Sequence, residues 1–145
     1  MKKLIAVAAM AVTLCLAGLV MSGTAFAQQC VDNGNGTVTE VYGGYDLMWQ
    51  KATAGKMVWD VAMRYASSLS LGGHSDWRLP KLHELRLLYH SPCKSMMEVV
   101  ETGYWSSITD AHDAGRAWRV DFDDGNVFSL HKSSDRYVRA VRAGQ

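Results

Sequence analysis

The chain has 145 residues, with 15 Lys and Arg against 14 Asp and Glu and a net charge of +1. So even a balance gives no general pull toward nucleic acid or an anionic membrane. With 10% aromatic residues, the chain belongs with ordered domains rather than disordered tails.

In chain order, the first segment reads as a secretory signal. Lys2 and Lys3 precede an uncharged apolar run from Leu4 to Val20, and Ala25-Phe26-Ala27 forms a small-x-small cut site. A retained membrane helix is the rival reading, but no Lys or Arg cluster follows the run. Neither Cys15 after Leu14 nor Cys30 after Gln29 has the small residue that lipid attachment needs. Cleavage after Ala27 leaves one domain, residues 28–145, with 13 basic and 14 acidic residues. The expected location is periplasmic or extracellular, with no membrane span in the mature chain. Cys30 and Cys93 remain, and an oxidising compartment favours one bridge between them. Free thiols or pairing with another chain are the alternatives.

Asp32-Asn33-Gly34-Asn35-Gly36 reads as a turn before a strand over Thr37–Val41, and Leu47–Gln50 reads as a second strand paired with it. Met57 to Leu69 has helical period, with Val58, Ala62, Tyr65 and Leu69 on one face and Gly72-Gly73 as the stop. A second helix starts near Pro80 and shows Leu82, Leu85, Leu88 and Tyr89 on its apolar side. His90 to Gly103 is mostly loop. Tyr104–Ser107, Ala117–Phe122, Val127–Leu130 and Tyr137–Arg142 read as strands, with Asp123-Asp124-Gly125-Asn126 as a hairpin turn. The order implies an α+β domain with both helices on one side of an antiparallel sheet.

These pieces carry a resemblance. Asp32-Asn33-Gly34-Asn35-Gly36-Thr37-Val38, Leu47-Met48-Trp49-Gln50-Lys51, Gly73-His74-Ser75-Asp76-Trp77-Arg78-Leu79-Pro80 and Glu84-Leu85 come in that order. Tyr104-Trp105-Ser106-Ser107, Ala117-Trp118-Arg119-Val120-Asp121-Phe122 with Asp124-Gly125, and Tyr137-Val138-Arg139-Ala140-Val141-Arg142 follow. The set resembles the C-terminal domain of the Legionella collagen-like adhesin, the Lcl C-terminal domain family, a domain of unknown function. That family is similar to the C-type-lectin-like fold, shared with formylglycine-generating enzymes and with variable receptor-binding proteins. The resemblance implies that the first and last strands pair near the termini. It also implies that the loop-rich face between Trp105 and Arg136 is the ligand side. Two departures stand out: Lys81 follows Leu79-Pro80, where relatives often have a helix-capping side chain, and Tyr45-Asp46-Leu47 replaces a usual Thr-Gly-Leu.

Candidate chemistry is sparse. Asp76, Trp77, Arg78, Leu79 and Pro80 read as a structural motif linking the helices, with Asp76 and Arg78 satisfying each other. Trp77 and Leu79 are expected to be buried. Asp121, Asp123, Asp124 and Asn126 suggest the start of a calcium loop, but Lys132 stands where a bidentate Glu is needed. The calcium-and-sugar motifs of true C-type lectins are missing too, so a hairpin turn is the reading. His74, His83, His90, His112 and His131 lack zinc spacing, and no Cys-x-x-Cys occurs. Neither a metal nor another cofactor is expected. Ser106-Ser107 lacks a nucleophile elbow. No cysteine follows Cys93, which counts against a formylglycine-generating type of oxidase. Trp118 alternates with Val120 and Phe122 and reads as core.

Trp105, Arg116, Arg119, His131, Lys132 and Arg136 remain as the candidate ligand residues. Aromatic faces stack on sugar rings, while Arg and Lys hold carboxylate or sulfate. The expectation is an exported, non-enzymatic binding module for an extracellular glycan, sulfated or not, or for a surface protein. The alternatives are an enzyme using acidic groups near Asp121–Asp124 and a structural subunit of an envelope assembly.

Overall fold

The structure, a computed structural model, describes residues 27–144. The signal segment ahead of Ala27 lies outside the described residues. Among these residues, no helix is long and apolar enough to cross a membrane.

The elements are β1 (Gln29–Asp32), β2 (Thr37–Tyr42), β3 (Tyr45–Gln50), β4 (Ala54–Met57), α1 (Trp59–Ser68), α2 (Leu82–His90), a 3₁₀ turn (Pro92–Met96), β5 (Gly103–Asp110), β6 (Asp113–Asp121), β7 (Val127–His131), β8 (Arg136–Val138) and β9 (Val141–Ala143). They form two sheets. The first runs β1-β2-β3-β9 and the second β4-β8-β5-β6-β7. The fold is α+β. β2 pairs with β3 as expected, from Thr37↔Gln50 to Tyr42↔Tyr45. The first and last strands share a sheet but do not pair, because β9 hydrogen-bonds β3 and leaves β1 at the far edge. Pairing is antiparallel except for β5 with β8, which is parallel.

The helices are not on one side. Ala62 and Ala66 of α1 pack with Trp105, Ala117 and Val138, whereas Leu85 and Leu88 of α2 pack with Tyr104, Val120 and Phe122. Tyr104 and Trp105 are neighbours on β5, and successive strand residues point to opposite faces. The second sheet is therefore a partition with one helix against each face. Trp118 shares the α2 side of β6 with Val120 by strand alternation but is only half-buried.

Several boundaries differ from the pattern-based expectation. α1 stops at Ser68. Gly72 and Gly73, at φ of +61° and +82°, instead make a tight turn in which Leu71 and His74 exchange hydrogen bonds. Pro80 lies ahead of α2 rather than in its first turn, and Lys81 is the N-cap. Its ammonium has no lone pair to accept a helix N–H. The Glu84 carboxyl compensates, accepting from Lys81 N at 2.7 Å. The stretch Tyr137–Arg142 is two strands in two sheets, broken at Arg139-Ala140.

Trp77 and Leu79 are buried. Asp76 and Arg78 do not pair with each other. Asp76, 63% exposed in its side chain, receives Arg142 Nε at 2.6 Å. Arg78 makes a two-pronged bond to Glu84 at 2.7 and 2.8 Å. The backbones of Arg78 and Val141 exchange two hydrogen bonds, so the link between the helices is stitched to β9. Cys30 and Cys93 form a disulfide, which ties edge strand β1 to the 3₁₀ turn.

Candidate functional site

The six candidate residues occupy three different environments around the second sheet. Trp105 is fully buried, and its Nε1 donates to Met57 O at 3.0 Å. It fills the α1-side core, so it is not a surface on which a ligand can stack. The tyrosine before it already fills the opposite core, and a tight partition leaves neither ring exposed.

Arg119, Lys132 and Arg136 belong to the α1 side. Arg119 pairs in register with Trp105 and Phe128, and Arg136 pairs with Met57. Residues directly opposite in register share a face. The Arg119 guanidinium lies 5.0 Å from the ring centre of Phe128, itself an exposed residue. It also forms an ion pair with Asp121. Burial pushes Arg119 below its ordinary pKa, and the charge of Arg136 pushes the same way, against Asp123 and Asp124. The guanidinium still stays charged at neutral pH. Lys132 follows β7, held by its N–H on Gly115 O at 2.8 Å. Its ammonium is 4.0 Å from the centre of the Trp59 ring, at the start of α1. Trp59 is fixed in turn: its backbone N–H meets Lys132 O at 3.0 Å, and its Nε1 meets Ser106 O at 2.8 Å. Trp59 and Phe128 were not among the candidates. Their periodicity marks them only as apolar, and their partnership with cations depends on pairing across the fold.

Arg116 and His131 are on the other side. They pair with each other in register, two positions from the Trp118↔Ser129 pair. Arg116 is committed to Ser129, donating through Nε to Oγ at 3.1 Å and through Nη2 to the carbonyl oxygen. Ser129 Oγ donates to Asp110 Oδ2 at 2.6 Å. The Asp110 carboxyl is held below its usual range by that hydroxyl and by the N–H of His112. β7 is an edge strand. The bonds Asp121 N to Asn126 O and Lys132 N to Gly115 O fix the alternation, so that Ser129 O points away from β6. Arg116 therefore caps part of an open edge. His131 Nδ1 is occupied by Ser133 Oγ at 2.7 Å.

The acidic turn is a hairpin. Gly125 N donates to Asp121 O at 2.8 Å and Asn126 N to Asp124 Oδ1 at 2.8 Å, with Gly125 at φ +76°. Carboxylate oxygens of Asp121, Asp123 and Asp124 lie within 4.8 Å of one another. Asp121 is engaged with Arg119, which places a fixed positive charge at that position. Two shallow cavities, of about 290 and 320 Å³, lie beside Pro92 and Phe122 and along the Ser70–Ser75 turn. The α1-side cations thus stand on open surface rather than in either of these cavities.

A family model described as the Lcl C-terminal domain matches residues 36–142. The chain belongs to the Lcl C-terminal domain family. No curated protein matches it. The Lcl match takes in both sheets apart from β1 and the last residue of β9, and it includes Trp59, Arg119, Lys132 and Arg136.

Proposed function

We propose that this chain is an exported, non-enzymatic binding module whose ligand is an anionic glycan. The observation that carries the proposal is the set of three cations, Arg119, Lys132 and Arg136, on the α1 side of the second sheet. Two of them rest on aromatic rings. Guanidinium and ammonium groups meet sulfate or carboxylate, and a nearby ring edge gives the sugar an apolar contact. The binding face is narrower than the full Trp105–Arg136 stretch: Trp105 is core, and Arg116 serves a strand edge. Export is supported by the signal pattern ahead of Gln28 and by the Cys30–Cys93 disulfide, which suits an oxidising compartment. The resemblance to a collagen-like adhesin and to the C-type-lectin-like fold supports a binding role at the cell exterior.

The test is titration of the exported protein with dextran sulfate, with neutral dextran as the control. Binding should be selective for the sulfated polymer and should weaken as salt rises, because exposed charges are screened within about 8 Å at physiological ionic strength. Lys132→Ala with Arg136→Ala should lower affinity at least about tenfold, while each exposed charge pair removed changes stability by only about 0–1 kcal/mol. Equal affinity for both polymers, or wild-type affinity in the double variant, rejects this site.

A further inference from the structure

The residue just behind the expected cut is built into the fold. Gln28 Nε2 donates to Glu40 Oε1 at 2.5 Å and to Ser91 Oγ at 2.9 Å. Both acceptors are buried. The other oxygen of Glu40 takes Trp49 Nε1 at 2.8 Å, and Ser91 Oγ also accepts Cys93 N at 3.0 Å. Cys93 is bridged to Cys30, two residues beyond Gln28. Both N–H groups of one glutamine amide are thus spent on side chains from two other parts of the chain.

An N-terminal glutamine has its own chemistry. The neutral α-amine attacks the side-chain Cδ, the N–Cδ bond forms, and the Cδ–Nε2 bond breaks. Nε2 leaves as ammonia, carrying the proton lost by the amine, and a five-membered lactam remains. No oxidant or co-reactant is needed. We infer that the fold holds Gln28 against this cyclisation, with Glu40 and Ser91 as the positioning residues. The amide must leave both partners to bend back onto its own amine. When ammonia departs, both buried oxygens lose their donor, and the lactam carbonyl cannot replace it. The folded domain therefore disfavours the product as well as the approach. This inference rests on cleavage after Ala27 and is independent of what the α1-side cations bind.

The experiment uses the full chain, exported from a bacterial host and purified from the exterior fraction. Intact mass gives the N-terminus and the state of Gln28. The protein is then held at about pH 8, where a terminal amine is roughly half neutral. One sample is native, and one is denatured, reduced and alkylated. Ammonia loss at the N-terminus is followed by peptide mass. We expect a product that begins at Gln28 with its amide intact, and a native rate at least about tenfold below the denatured rate, the scale of losing hydrogen bonds to buried acceptors. Ser91→Ala, checked for an unchanged fold by circular dichroism, should raise the native rate toward the denatured one. A different N-terminus, a lactam already present in fresh protein, or equal native and denatured rates overturns the inference.

Discussion

Gly103 makes room for Arg119. A Cβ on Gly103 would overlap Arg119 Nη1 and come within 2.8 Å of Asp121 Oδ1 and 3.0 Å of Arg119 Cδ. Gly103 is the first residue of β5 and pairs with Asp121, while Arg119 pairs with Trp105 next door. The guanidinium lies across the bare α-carbon, on the side of the sheet that also carries Arg136. A glycine weakens a strand unless something needs the space. Here the long cation of the proposed binding face needs it.

Gly103→Ala should therefore displace the Arg119 guanidinium and strain its pair with Asp121. We expect a stability loss of about 1–3 kcal/mol, typical of inserting a methyl into an occupied space. Affinity for dextran sulfate should also fall. Urea denaturation and the polymer titration check the two halves. An alanine variant with wild-type stability would show that Arg119 has room elsewhere.

The disulfide guards an edge strand. β1 has only β2 as a hydrogen-bonded neighbour, and Cys30 in its middle is tied to Cys93 across a sequence separation of 63. Chain-entropy arguments give a loop of that length about 4 kcal/mol. Cys30→Ser with Cys93→Ser should lose about 3–5 kcal/mol, and the β1 amides should exchange fastest among the β-strands of the first sheet. Alkylation of the native exported protein without reductant should add no mass.

Glu84 links acid stability to the joint between the helices. Burial alone would push its carboxyl up, but hydrogen bonds from Arg78 and from Lys81 N–H outweigh that and hold it below its usual value. A depressed folded pKa contributes stability that is fully present above the unfolded value, about 4.3. That contribution is lost as pH falls through the folded value. Stability should therefore decline below about pH 4.5, with a smaller decline in Glu84→Gln. At pH 7 that variant should lose about 1–2 kcal/mol, a modest figure because the Arg78 side chain is 41% exposed and water screens it. Urea midpoints from pH 7 down to about pH 3 test it. Parallel curves for the two proteins would remove Glu84 as the cause.

The helices and the long strands were legible because their periods are strong. Ala62 and Ala66 repeat on one helix face, and Thr37–Val41 alternates. β1 and β4 escaped, being four residues each, too short to show a period. The alternation in Tyr137–Arg142 was real, but a period of two does not reveal that a strand leaves one sheet and joins another. Six candidate ligand residues fell within one stretch of sequence, yet strand alternation sends Arg116 and His131 to one face and Arg119 and Arg136 to the other. Partners such as Trp59 for Lys132 depend on contacts between distant segments, which no local pattern encodes.

Arg139 explains where that strand breaks. It is buried between β8 and β9 with no carboxylate partner. Instead Nη1 donates to the carbonyls of Gln50 and Lys51, and Nη2 to Thr53 Oγ1 at 2.8 Å and Glu98 O at 2.7 Å. The end of β3 and the residues after it are thereby tied both to the crossing point and to the loop before β5. The next residue completes the joint: Ala140 N donates to Gln50 Oε1 at 3.0 Å, and Gln50 N donates to Ala140 O at 2.9 Å. Burial pushes the guanidinium below its ordinary pKa. It nonetheless stays charged, since arginine starts above about 12. Arg139→Met keeps the apolar stem but leaves acceptors from four residues without their donor. At about 1–3 kcal/mol for each group that water cannot reach, a total loss of about 3–5 kcal/mol is expected. Arg139→Lys keeps the charge but not the planar fork, and three donors at one point cannot span acceptors on both sides, so it should recover less than half. Urea denaturation of the three proteins with a shared slope measures both differences. A loss under about 1 kcal/mol in Arg139→Met would mean that water replaces the guanidinium and that the crossing is held by Gln50 and Ala140 alone.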